Sequence, residues 1–163
     1  MKGYLNIILI YIGLNSYAQD RIAVETSSAQ TIIETYSKSY SSFDLDKAYR
    51  LGPTSTKTLK EGIRISLKWI ELNATYLKDF EKEICRFKAM KKTDFEFHGY
   101  NDHLADEMIL NFKGNSDGTF LLEIKTFYSS AFISLSDKNM VISFRDLLDG
   151  KSTNKEIDDI FKN

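Results

Sequence analysis

Residues 56–92 read TKTLKEGIRISLKWIELNATYLKDFEKEICRFKAMKK, and our prediction of the fold starts here. Apolar residues in this stretch recur every three or four positions, which is the period of an α-helix that buries one side. Charged residues such as Lys60, Arg64 and Lys68 fall on the opposite side. The pattern predicts one long amphipathic helix over about residues 56–91. Its buried stripe consists of Leu59, Ile63, Leu67, Ile70, Ala74, Leu77 and Ile84.

A short segment inside this stretch fits two structures. In residues 63–69 every second residue is apolar, as in a half-buried strand. The alternation stops at Ile70, whereas the helical period continues well beyond it. Length therefore favours the helix, and the strand stays as the alternative.

Two shorter helices are expected before the long one. Ser27, with Gln30 three positions later, forms a capping-box pattern, and helical spacing follows over residues 28–42. Asp44 is a suitable cap for a further short helix. Gly52-Pro53 would end that second helix, since proline disfavours helix in the residue before it.

After Lys92 the apolar period falls to two, which is the period of a β-strand. Residues 114–118 and 136–139 are rich in Gly, Asn, Asp and Ser, and they predict two hairpin loops. The predicted strands cover residues 94–100, 108–112, 120–127, 132–135 and 140–144.

These elements predict an α+β fold in which N-terminal helices, including the long one, pack on a curved antiparallel sheet of four to five strands. The element order resembles, loosely, the helix-plus-curved-sheet scaffolds of the nuclear-transport-factor-2-like and cystatin-like folds. Such scaffolds carry both enzymes and binding proteins, so the resemblance implies a fold and no particular activity.

The first residues have the features of a secretory signal peptide. Lys2 is followed by an apolar run over residues 4–14, and Ser16 and Ala18 form a small-x-small cleavage site. The leader resembles those of proteins exported by Gram-negative bacteria. We therefore predict a signal peptide over residues 1–18, a single domain over residues 19–163, and a periplasmic or secreted location. The apolar run is too short for a membrane span, and no cysteine stands directly after it to carry a lipid anchor.

Charge and cysteine content narrow the class of protein. The formal net charge is −1, and loss of the leader removes Lys2 and no acidic residue, which makes it −2. Acidic residues interrupt the lysines of the long helix, so the sequence favours no nucleic-acid partner. Cys85 is the only cysteine, which leaves no disulfide within the chain. We expect it to be a partly buried, unreactive side chain.

One polar segment, residues 98–107, holds both histidines of the chain together with carboxylates. Imidazole and carboxylate groups suit a zinc site or an acid–base pair, but their spacing matches no established motif. We therefore expect a polar connection between strands, with no catalytic residues, no metal and no cofactor. The candidate binding residues are His98, Tyr100, Asp102, His103 and Tyr128.

The absence of a catalytic motif in the sequence favours a non-enzymatic binding module. Its ligand would be a protein partner or a small apolar molecule, because the chain contains 11 Phe and 9 Tyr residues. The alternative is a small metal-dependent or acid–base hydrolase that uses residues 98–107. Metal content would separate the two hypotheses.

The leader yields a direct prediction. We expect cleavage after Ala18, because Ser16 and Ala18 are the small residues that the peptidase accepts. Intact mass spectrometry of the exported protein measures this. A mature chain that still carries residues 1–18 would show that the leader is an anchor instead.

Overall fold

The computed structural model describes residues 8–11, 21–36, 47–127 and 131–151. These residues form eight strands and three helices. In chain order they are β1 (Ile8–Tyr11), β2 (Arg21–Thr26), β3 (Thr31–Tyr36), β4 (Lys47–Leu51), α1 (Pro53–Tyr76), β5 (Phe80–Lys91), α2 (Lys92–His98), β6 (Asp106–Gly114), β7 (Phe120–Thr126), β8 (Ala131–Leu135) and α3 (Lys138–Leu148).

The strands form one sheet in sequence order, and every neighbouring pair is antiparallel. The predicted antiparallel arrangement is therefore confirmed, but the predicted sheet of four to five strands is wrong. Four strands precede α1, and two of them, β3 and β4, lie where we expected helices. Among the described helices only α1 is long; α2 and α3 have 7 and 11 residues.

The predicted long helix over residues 56–91 is wrong in its second half. Residues 63–69 are helical, but α1 begins at Pro53 and ends at Tyr76. Leu77 then adopts a left-handed conformation with φ 50°, and its N–H donates to Asn73 O at 2.9 Å. Residues 80–91 form β5 instead, and apolar and charged residues alternate in it only from Cys85 to Ala89, so the helical stripe was the longer signal.

The helices predicted before α1 are also wrong. Ser27 and Gln30 do not cap a helix; they close the turn between β2 and β3, where Ser27 N–H donates to Gln30 O at 2.9 Å. The residues that follow are Thr31, Ile32 and Ile33, whose β-branched side chains favour a strand. The second predicted helix is replaced by β4. Residues 37–46 lie outside the described part of the chain.

Two predicted strands are helices. Residues 94–100 fall mostly in α2, and residues 140–144 fall in α3. The carboxylate of Asp137 accepts the N–H groups of Asn139 and Met140 at 2.8 and 3.2 Å, so it is the N-cap of α3 and not a hairpin residue. The buried residues of α3 then follow helical spacing: Val141, Phe144, Leu147 and Leu148.

The prediction succeeded where alternation and turn chemistry agree. The predicted strands at residues 108–112, 120–127 and 132–135 correspond to β6, β7 and β8. The predicted hairpin at residues 114–118 joins β6 to β7. In that loop Gly118 has a positive φ of 84°, a conformation that glycine adopts without strain.

The sheet curves strongly around its helices. Tyr49 in β4 and Phe132 in β8 pack edge to face, with ring centroids 4.7 Å apart. In a flat sheet, strands four places apart would be separated by about 19 Å. Helix α3 likewise contacts both β2 and β8. The concave side therefore encloses α1, α3 and the hydrophobic core.

Helix α1 lies very close to the sheet at Gly62. A Cβ atom at this position would be 2.7 Å from Cys85 Sγ in β5 and 2.7 Å from Leu110 Cδ2 in β6. Carbon atoms pack optimally at about 3.5–4.0 Å, so a side chain here would displace Cys85, Leu110 or the helix itself. Glycine thus permits the deep burial of Leu59 and Ile63, both 0% exposed.

The two halves of the sheet are joined narrowly. Within the described residues, β4 pairs with β5 at only two positions, Tyr49 with Lys91 and Arg50 with Met90. By contrast, β5 pairs with β6 from Phe80 to Ala89. The long helix α1 connects the same two strands in the chain, so it spans this joint.

A substitution pair tests the position of α1. Ile63→Ala would leave a cavity under the helix and should lower the free energy of unfolding by about 2–5 kcal/mol. Lys68→Ala on the exposed side of α1 should change it by less than about 0.5 kcal/mol. Denaturant unfolding followed by circular dichroism measures both. Equal effects would contradict the buried face described here.

Candidate functional site

The two histidines occupy exposed positions in the structure. His98 is the last residue of α2, and His103 lies in the turn before β6. His103 N–H donates to Asn101 Oδ1 at 2.9 Å, a contact that shapes the turn. In the described part of the chain, no three His, Cys, Asp or Glu side chains converge to hold a metal ion.

The structure brings together two of the predicted binding residues, Tyr100 and Asp102. The Tyr100 hydroxyl donates to Asp102 Oδ1 at 2.7 Å. Burial first, and this hydrogen bond second, raise the pKa of the Tyr100 phenol. A Cβ atom on Gly52 would be 3.0 Å from the Tyr100 ring, so the ring lies against the start of α1. Tyr128, the fifth predicted residue, is outside the described residues.

Tyr100 also covers Arg50, which lies at the β4–β5 joint. The guanidinium carbon of Arg50 is 4.3 Å from the ring centroid of Phe95 and 5.7 Å from that of Tyr100. Cation–π contacts of this kind stabilise a half-buried arginine. Because Phe95, Arg50 and Tyr100 come from α2, β4 and the loop after α2, this cluster fastens the joint between the two halves of the sheet.

A groove of about 550 Å³ lies between the β2–β3 turn and the first three turns of α1. This volume is within the range of about 300–1,000 Å³ that is typical of small-molecule sites. Most of the side chains in its wall are hydroxyl, amide or charged groups. They are Thr26, Ser27, Ser28, Gln30, Pro53, Thr56, Lys57, Lys60, Glu61 and Arg64.

Local sequence accounts for both walls of the groove. In the β2–β3 turn, Ser27 Oγ lies 3.4 Å from Gln30 O, to which it donates, and 3.4 Å from Ala29 N, from which it accepts. These contacts make a tight serine turn. On the other wall, Pro53 occupies the first position of α1, where its missing N–H costs nothing.

Two polar atoms in the groove wall are buried without a hydrogen-bond partner among the described residues. They are Oε1 of Gln30 and Oγ1 of Thr56. A buried polar atom that lacks a partner costs about 1–3 kcal/mol. The two atoms belong to residues on opposite walls of the groove.

The groove carries more positive than negative charge. Asp149, at the end of α3, is 3.6 Å from both Lys60 Nζ and Arg64 Nη2. Arg64 Nη1 is also 3.6 Å from Glu61 Oε2. Among the described residues, no carboxylate pairs with Lys57. Lys60 and Arg64 therefore pair with the carboxylates of Glu61 and Asp149. Lys57 has no such partner among the described residues and is available to bind an anion.

Sequence reasoning missed this site. Ser27 and Gln30 were interpreted as a helix cap, and Lys60 and Arg64 as an ordinary solvated helix face. The spacing of Lys57, Lys60 and Arg64 does place them on one side of α1, and that signal was visible. The opposite wall of the groove gave no such signal, because predicting it requires recognition of the hairpin between β2 and β3.

Comparisons with protein families, with curated proteins and with solved structures yield no match to this chain. None of the helices in the described residues is both long and apolar enough to cross a bilayer.

Cys85 is a half-buried thiol in β5. Its Sγ lies 3.8 Å from the carbonyl oxygen of Thr58, to which it donates. Burial, and secondarily the negative charge of Glu83, raise the pKa of the Cys85 thiol to about 11. The reactive thiolate is therefore scarce at neutral pH.

This raised pKa predicts low reactivity in the folded protein. At pH 8, Cys85 should react with a disulfide reagent at least about a hundredfold more slowly than in the denatured chain, because a thiol with an ordinary pKa near 8.5 holds far more thiolate. The rate in the folded state should rise as the pH approaches 11. Absorbance of the released thiol measures the rate, and Cys85→Ser provides the blank. Similar rates in the folded and denatured states would contradict the burial of this group.

Proposed function

We propose that this protein is an exported, non-enzymatic binding protein whose ligand site is the groove between the β2–β3 turn and α1. The ligand is a small hydroxylated anion, such as a hydroxycarboxylate or a sugar phosphate. The observation that carries this proposal is the pair of buried polar atoms without a partner among the described residues, Gln30 Oε1 and Thr56 Oγ1, on opposite walls of a basic groove.

The chemistry of these two atoms specifies part of the ligand. Gln30 Oε1 only accepts a hydrogen bond, so the ligand must offer an O–H or N–H group to it. Thr56 Oγ1 both donates and accepts, and it suits a ligand hydroxyl or an anionic oxygen. A ligand with several hydroxyl groups meets both needs at once.

The charges specify the rest of the ligand. Lys57 has no acidic partner among the described residues, and Lys60 and Arg64 are held 3.6 Å from Asp149 rather than in short contacts. An anionic group on the ligand pairs with Lys57 and competes with Asp149 for the other two cations. Binding should therefore weaken as salt is added, since Lys57 and Arg64 are exposed to solvent.

The groove lining supports a polar ligand better than the small apolar ligand of the sequence-based prediction. Among the described residues of the wall, Pro53 is the only apolar one. The signal peptide and the periplasmic or secreted location are part of the proposal and rest on residues 1–18 alone. The absence of a basic excess in the composition supports a partner other than nucleic acid.

Isothermal titration tests the site with named ligands. The probes are citrate, gluconate and glucose 6-phosphate, with sodium sulfate as a plain anion and glucose as a neutral sugar. We expect at least one of the first three to bind, and we expect sulfate and glucose to bind more weakly. If none of the three binds at millimolar concentration, the proposed ligand class is wrong.

Matched variants locate the binding. Lys57→Glu and Thr56→Val should each weaken binding by about tenfold, because each removes a charge or a hydroxyl that contacts the ligand. Lys68→Glu makes the same charge change on the exposed side of α1, outside the groove, and should leave affinity within about twofold. An equal loss in Lys57→Glu and Lys68→Glu would show only a general charge effect.

A further inference from the structure

Within the described part of the chain, strand β5 has one edge that no other strand covers over most of its length. From Phe80 to Ala89 it pairs with β6 on one side. On its other side, β4 pairs only with Met90 and Lys91 in the described residues. The side chains from Phe80 to Glu83 are all exposed, so the beginning of this edge faces solvent.

The open edge ends where α1 begins. The N–H of Lys88 points away from β6 and donates to Ser55 Oγ at 3.0 Å. The first turn of α1 therefore closes the edge at Lys88. In the described part of the chain, no strand pairs with residues 80–87 on the side away from β6, and open edges of this kind accept a further strand.

A bulge gives this edge an unusual charge pattern. The register of β5 against β6 shifts between Glu83 and Cys85. Before the shift, Glu81 and Glu83 lie opposite residues 113 and 111; after it, Arg86 and Lys88 lie opposite residues 109 and 107. All four β6 partners have odd numbers, so they lie on one face of the sheet. Two acids and then two bases consequently share that face of β5.

This order of charges is self-complementary. In an antiparallel pair with the two-fold axis between Ile84 and Cys85, Glu81 of one copy lies opposite Lys88 of the other. Glu83 of one copy likewise lies opposite Arg86 of the other, and within each chain the same two residues form an ion pair at 2.7 Å. Each of these pairs occurs twice, all four joining opposite charges on the same face, and opposite charges across a strand pair stabilise it. Without the bulge, Glu81 and Lys88 would lie on different faces.

We infer that β5 pairs with β5 of a second copy of this chain, which joins the two sheets edge to edge into a symmetric dimer. A self-complementary patch is what a two-fold interface requires. The end of α1 that leads into this edge exposes Leu72, Tyr76 and Leu77, with Tyr76 67% exposed. Exposed apolar side chains beside an open edge are typical of an interaction surface.

The test is a charge exchange between two single variants, followed by sedimentation velocity over a micromolar concentration series. Wild-type protein should sediment as a dimer. Glu81→Lys sets a lysine against Lys88 of the other copy, and Lys88→Glu sets a glutamate against Glu81 of the other copy. Because like charges then face each other across the strand pair, each variant alone should dimerise at least about tenfold more weakly.

Mixing the two variants should restore the dimer. In the mixed pair, the lysine introduced at position 81 of one chain lies opposite the glutamate introduced at position 88 of the other. The unchanged Lys88 and Glu81 also lie opposite each other, so both ion pairs return. Lys151→Glu is the control, because Lys151 is an exposed residue after α3 that does not pair with β5, and this variant should dimerise as wild type does. Thermal unfolding of each variant confirms that it is folded.

Three results would overturn the inference. Wild-type protein that stays monomeric throughout the series would show that the charges and the bulge protect the edge from pairing, which is a known role of both. Folded single variants that dimerise as tightly as wild type would place the interface elsewhere. A mixture that stays monomeric while wild type dimerises would exclude the proposed register.

Discussion

The close approach of α1 to the sheet is the contact on which the rest of the structure depends. It occurs at Gly62, where a Cβ atom would collide with both Cys85 and Leu110. Because the helix lies this low, Leu59 and Ile63 are fully buried and Ser66 donates to the carbonyl of Gly62 at 2.8 Å without reaching solvent. The same placement holds the first turn of α1 against β5. It also positions the α1 wall of the groove opposite the β2–β3 turn. The cost of a residue with poor helix propensity is offset by this packing.

The parts of the fold that could be predicted are those in which the local signals agree. Strands β6 and β7 combine strict alternation with an Asp-Gly turn, and nothing in the sequence contradicts them. Residues 80–91 were harder, because Phe80, Ile84 and Phe87 fit the helical stripe as well as a strand. The helix ends at Leu77, which adopts a left-handed conformation. A leucine in the sequence does not predict this conformation. Tertiary contacts, such as the hydrogen bond from Asn73 Nδ2 to Thr119 O at 2.9 Å, fix where the helix ends.

The candidate site was beyond sequence reasoning for a related cause. Its walls come from the β2–β3 hairpin and from α1, with β4 between them in the chain, and Asp149 reaches the groove from near the other end of the chain. The residues that did attract attention, His98 and His103, are exposed, while Tyr100 and Asp102 support the joint between the halves of the sheet. The first strand adds a further point. Because β1 lies inside the predicted leader and pairs with β2, cleavage after Ala18 would leave β2 as the first strand of the exported protein.

The narrow joint between β4 and β5 has a consequence for the motions of the protein. Strands β2–β4 are held to the remainder by two residue pairs, the cation–π contacts of Arg50, the ring contact of Tyr49 with Phe132, the Lys92–Glu34 ion pair and the packing of α3 on β2. Strands β5, β6 and β7, in contrast, pair with one another along most of their length. Regions of a domain that are held by fewer contacts open at a lower free-energy cost, so we expect β2–β4 to open more readily than β6 and β7. Amide hydrogens of β2–β4 are then expected to exchange faster than those of β6 and β7. Because the β2–β3 turn forms one wall of the groove, such an opening would also move that wall away from α1.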